Sequence, residues 1–145
     1  MNNEDFVTYE IAVLLKADGF DWRVTNAFSQ KIRLEPFSMG RLKNVSCKAP
    51  KNFNDNRKGA GEGILFYSRP TLHTAAKWLR EELGIDIVIS PRFDSSTGDR
   101  IGYFWRWSQR TDVNMYPKTH KTYEAALSEA ISTILNQITP QNEDL

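Results

Sequence analysis

Cysteine is almost absent from this chain of 145 residues: Cys47 stands alone, so no intrachain disulfide can form. A lone thiol fits a reducing compartment, and the chain is expected to be cytoplasmic. Histidine is nearly as scarce, with only His73 and His120. No C-x-x-C, H-x-x-x-H or H-E-x-x-H spacing occurs, so no metal site and no cofactor is expected. Long apolar runs are missing too. The longest, Ile11 to Leu15, falls far short of the roughly 20 residues a membrane-spanning helix needs. The start, Met1-Asn2-Asn3-Glu4-Asp5, is polar and acidic, unlike the basic and then apolar opening of a signal peptide. No membrane partner is expected.

A catalytic constellation is also lacking. Lys43 and Lys48 flank Cys47 and would favour its thiolate, but a thiol enzyme further needs a histidine base and an orienting group. A loop cysteine without a chemical role is the favoured reading. Gly59-Ala60-Gly61-Glu62-Gly63, after Arg57-Lys58, resembles a phosphate-cradling loop. Such loops present backbone N–H groups ahead of a helix, whereas this one leads into a strand and carries Glu62. Glu81 and Glu82 are neighbours on a helix and point in different directions. An enzyme is not expected.

Charge is present in quantity and unevenly placed. The total of +1 conceals residues 31–58, where Lys31, Arg33, Arg41, Lys43, Lys48, Lys51, Arg57 and Lys58 face only Glu35 and Asp55. That stretch is +6 and the remainder −5. Within it, residues 36–62 combine Pro36, Gly40, Pro50, Gly59 and Gly61 with Asn44, Asn52, Asn54 and Asn56, a composition that reads as a long basic insert loop.

Around the insert, period and caps predict an α+β domain. A first helix starts near Asn3, carries Phe6, Val7, Ile11, Leu14 and Leu15 on its apolar face, and stops at Gly19-Phe20. Trp22–Val24 and Ile32–Leu34 read as short strands joined by a loop over 25–30, and Ile64–Tyr67 as a buried strand. A second helix opens at Arg69-Pro70-Thr71 and ends at Gly84, with Leu72, Ala75, Ala76, Leu79 and Leu83 on one face. Strands follow at Ile85–Ile89, closed by Pro91, then at Arg100–Trp107, with a short one at Val113–Tyr116. Thr122 caps the last helix, whose stripe is Ala126, Leu127, Ala130, Ile134 and Ile138. The expected architecture is one domain, 1–139: an antiparallel sheet with three amphipathic helices packed on it, followed by a flexible acidic tail, 140–145.

Binding signals outweigh catalytic ones. Period two puts Tyr103, Trp105 and Trp107 on one face of their strand, with Phe104 and Arg106 on the other. Three aromatics in a row suit either a packed core under helices or a platform for stacking bases. Arg41, Lys43, Lys48, Lys51, Arg57 and Lys58, together with Tyr103, Trp105, Arg106 and Trp107, are therefore the candidate ligand-binding residues.

Two resemblances bear on this. Residues 71–138, in the order helix–strand–strand–strand–helix, are similar in topology to the double-stranded RNA-binding domain. Lys118, His120 and Lys121 precede Thr122 where that family's last helix opens with phosphate-gripping lysines. The turn Asp94–Asp99 lacks that family's Pro-and-His loop, so no functional residue carries over. Glu4–Ala12, Pro70–Leu72 with Lys77–Glu81, and Thr122–Ala126 resemble the three helices of small proteins from Bacteroidetes, their phages and mobile elements. That resemblance implies an accessory role of phage or mobile-element type and leaves the basic insert unmatched. The expected function is non-enzymatic: contact with an anionic partner (nucleic acid, nucleotide or acidic protein surface) through the insert. The alternative is a protein–protein module, such as a virion component or an inhibitor of a host defence enzyme.

Overall fold

A computed structural model describes residues 2–34, 36–55, 63–109 and 112–139. Arg57, Lys58, the Gly59–Glu62 stretch and the acidic tail lie outside the described residues. The fold is α+β, with three α-helices and two antiparallel sheets instead of one. The chain divides into two compact units, Thr8–Pro70 and Met1–Val7 with Thr71–Leu145.

The Thr8–Pro70 unit opens with helix α1, Tyr9–Ala17. Its cap is Thr8, whose hydroxyl accepts the Ile11 N–H at 3.3 Å, and not Asn3, which belongs to a separate 3₁₀ turn, Asn3–Asp5. Gly19, at φ 90°, ends the helix as the sequence predicts, and the Phe20 N–H returns to the Leu15 carbonyl at 2.9 Å. The predicted loop over 25–30 is instead the middle of one long strand, β1, Val24–Leu34. That stretch contains neither glycine nor proline to force a turn, and Ala27 and Phe28 are buried on its opposite faces.

β1 is the sheet's central strand. Along one side it pairs with β4, Gly63–Ser68; along the other it pairs first with β2, Phe37–Met39, and then with β3, Lys43–Lys51. The reading of 36–62 as a loop is thus corrected for β2 and β3. Leu34 pairs directly with Phe37, and the register with β1 resumes from Lys43 to Ser46. Sequence hid these strands because they form a solvent-facing edge, where polar and basic residues replace the apolar alternation that signals a buried strand. The chain is then pinned back onto the unit. Phe53 is only 5% exposed, and the Asn54 side chain donates to the Phe20 carbonyl at 2.9 Å while accepting the Ser68 N–H at 2.8 Å.

The other unit runs α2 (Leu72–Leu83), β5 (Ile85–Phe93), β6 (Arg100–Gln109), β7 (Asp112–His120) and α3 (Tyr123–Ile138). Both helices begin as predicted. Thr71 accepts the Thr74 N–H at 3.2 Å, and Thr122 accepts the Ala125 N–H at 3.0 Å. Gly84, left-handed at φ 69°, closes α2 and leads straight into β5. The strands form a β5–β6–β7 meander. β5 continues past Pro91, and β7 continues past Pro117; both are edge strands, where a missing N–H can face outward at no cost to the ladder. Both helices pack on the meander and touch each other, and their stripes (Leu72, Ala75, Leu79; Ala126, Leu127, Ala130, Ile131, Ile134) are buried.

Gly102 has a specific reason to be glycine. It sits at φ 155°, where β6 meets an irregularity in its pairing with β7. A Cβ there would come within 2.6 Å of the Thr119 methyl carbon and would press on the His120 carbonyl.

Candidate functional site

The period-two faces of β6 are resolved by which side the helices cover. Trp105 is 1% exposed and Trp107 8%, so both take the core alternative and neither presents a ring for stacking. Tyr103, on the same face but nearer the strand's start, is half-buried. Arg106 is exposed on the opposite face. On that face the Arg92 guanidinium lies 4.7 Å over the Phe104 ring and bonds the Thr119 hydroxyl at 3.0 Å, a cation–aromatic contact among solvent-facing residues.

Beneath α3, Trp105 is tied to a charged cluster. Its indole N–H donates to Glu129 Oε2 at 3.1 Å, His120 Nε2 lies against the same oxygen, and Lys118 Nζ is 3.6 Å from Glu129 Oε1. Burial pushes the Glu129 carboxyl upward, but the Trp105 hydrogen bond and the charges of His120 and Lys118 outweigh it, leaving the group below its ordinary value. Two of the three polar residues ahead of α3, Lys118 and His120, are therefore engaged inside their own unit. Lys121 remains exposed. This arrangement neutralises a part-buried carboxylate.

The basic candidates of the Thr8–Pro70 unit gather along the β2–β3 edge. Arg41 is exposed between the two strands, and Lys43 opens β3 opposite Ser29 of β1. Lys48 lies in an interruption of the pairing, between Ser46, which faces Asn26, and Lys51, which faces Val24. The Lys51 ammonium sits 4.8 Å over the Phe53 ring. Lys31 of β1 is exposed and lines an open cavity of about 420 Å³ with Arg33, Ser38, Gly40 and Ile64. Among the described residues, no carboxylate lies within ion-pair distance of Lys31, Arg41, Lys43, Lys48 or Lys51. Lys16 is a contrast within the same unit. It donates to the Phe66 carbonyl at 2.9 Å and caps the Tyr67 ring at 4.6 Å, and burial lowers its pKa.

Cys47 falls in the same interruption of β3, where its thiol donates to the Ala49 carbonyl at 3.0 Å; neither histidine belongs to its unit. Among the described residues no group of three histidine, cysteine or acidic side chains is placed to hold a metal ion. No helix among them is long and apolar enough to cross a membrane.

At the start of α3, Tyr103 of the candidate set enters a series with three residues that sequence alone does not join to it, His73, Arg100 and Tyr123. The His73 ring of α2 stacks against Tyr123 of α3 (centroids 5.9 Å apart, planes at 27°), and Tyr123 meets Tyr103 edge-on at 6.0 Å. Arg100 lies 5.3 Å over Tyr103. The chain separates these groups widely, so no local pattern could assemble them. No protein-family model, curated protein or solved structure matches the chain.

Proposed function

We propose that the protein is a non-enzymatic binding module, an accessory protein of phage or mobile-element type acting in the cytoplasm, whose basic β2–β3 edge holds a nucleic acid. One observation carries this reading. Lys31, Arg41, Lys43 and Lys48 lie on β1 and along its outer edge, and no carboxylate among the described residues is within ion-pair distance of them. Cations that serve a fold are usually paired or stacked; a row left unpaired is free to displace counterions from a phosphate backbone. Lysines also keep an open strand edge from pairing with other strands, and the same side chains serve both ends.

The test is affinity for mixed-sequence DNA and RNA measured against salt. Replacing Arg41, Lys43, Lys48 and Lys51 by glutamine should flatten the slope of log K against log salt by roughly 3, since each phosphate contact contributes about 0.7–0.9. Affinity at low salt should fall on the order of a hundredfold. Failure to bind either nucleic acid at low salt would refute the proposal.

The second reading, a protein–protein module, has its own support: Phe37 and Met39 of β2 are 68% and 48% exposed. Exposed apolar side chains of this size suit a protein partner better than a phosphate backbone. Phe37→Ser should leave nucleic-acid binding unchanged if the basic edge is the site, whereas association with a protein partner seated on β2 should be lost on the same substitution.

A further inference from the structure

The ring ladder in the Thr71–Leu145 unit joins α2, α3 and β6 yet stays partly open to solvent. Core aromatics are covered on all sides, as Trp105 is. Here His73, Arg100 and Lys121 are exposed, Tyr123 is 37% exposed and Tyr103 is half-buried. Residues from β6, α3 and α2 nevertheless converge into one ordered series, Arg100 on Tyr103, Tyr103 on Tyr123, Tyr123 on His73. Beside the series runs an open groove of about 440 Å³, lined by Arg100, Ile101, Tyr103, Lys121, Tyr123 and Glu124.

We propose that this groove is a binding site for a nucleoside monophosphate. An aromatic base extends the ladder by stacking, which every base can do through its π-face. Arg100 and Lys121 supply the charge for the phosphate. Arg100 suits that task because its guanidinium is already ordered on the Tyr103 ring, so less freedom is lost when it grips an anion. Glu124 sharpens the ligand class further. Its carboxylate accepts from an exocyclic amine and repels additional phosphates, which favours a monophosphate with an amino-bearing base over a triphosphate or a uracil nucleotide. The site does not rest on the nucleic-acid reading of the β2–β3 edge, since it uses other residues in the other unit.

The experiment is calorimetric titration of the full chain with AMP, and separately with adenosine, inorganic phosphate, UMP and ATP. AMP should bind, and adenosine and phosphate should each bind at least about tenfold more weakly, because each carries only half of the recognised chemistry. Tyr123→Leu, which keeps the apolar contact but removes the ring, and Arg100→Gln should each weaken AMP by about tenfold; Tyr123→Phe should bind as the parent does. The four-glutamine variant of the β2–β3 edge should also bind AMP normally, so loss of nucleic-acid binding and loss of this site are separable. Absence of AMP saturation, phosphate binding as tightly as AMP, or AMP affinity unchanged by both Tyr123→Leu and Arg100→Gln would overturn the proposal.

Discussion

The two units treat charge in opposite ways. In the Thr71–Leu145 unit, Glu129 draws in Trp105, His120 and Lys118, so a carboxylate near the core is answered from three directions. In the Thr8–Pro70 unit, Lys31, Arg41, Lys43 and Lys48 stand along the sheet with no counter-charge in ion-pair distance among the described residues. Burial explains the difference. A charge taken partly out of water must be paired or its desolvation goes uncompensated, whereas an exposed lysine needs no partner. Paired groups are thus expected to carry stability and unpaired ones to carry interaction, and mutation can force that division to fail.

The largest effect should come from Trp105→Ala. Removing a fully buried indole that also bonds Glu129 should cost about 3–5 kcal/mol, read from denaturant unfolding of the full chain. Gly102→Ala comes next, at roughly 1–3 kcal/mol, because its positive φ and the nearby Thr119 methyl both oppose a Cβ. A smaller and pH-dependent loss is expected for Glu129→Gln. The Glu129 carboxyl is depressed in the folded state, so its contribution is present above the unfolded value and disappears as pH falls through the folded one. Parent and variant should differ at neutral pH and converge in acid, below the ordinary carboxylate range of about 4. The smallest stability effect belongs to the four-glutamine β2–β3 edge, within about 0.5 kcal/mol per site, although it should abolish most nucleic-acid binding. If that edge variant unfolded as readily as Trp105→Ala, the division between stabilising and interacting charge would be gone.

What sequence made legible follows the reach of each interaction. Helix termini are settled within a few residues, so Thr71, Thr122, Gly19 and Gly84 all act where local chemistry puts them. The two faces of β6 were equally visible from period two, but which face lies under helices depends on α2 and α3, and sequence left Trp105 and Trp107 open between core and platform. The continuity of β1 is not legible locally because its partners β3 and β4 are distant in the chain. β2 and β3 carry no strand signal in sequence because an edge strand has little apolar pattern to show. Of the candidate site, the basic residues could be picked out by charge alone. The His73–Tyr123–Tyr103 series could not, since three separate elements must fold before its rings meet.

Asn54 adds something about the order of events during folding. Its two side-chain bonds reach 34 residues back to Phe20 and 14 residues forward to Ser68. The β1–β2 turn, by contrast, brings together neighbours in the chain and can form early, since short closures cost the least entropy. The Asn54 clasp therefore belongs to a late step, after α1 and β4 have found the sheet. Asn54→Asp keeps the acceptor for Ser68 but has no hydrogen to give Phe20, so it should leave the refolding rate nearly unchanged and accelerate unfolding. The same amide would then act as a latch, setting how long the basic edge stays folded between openings.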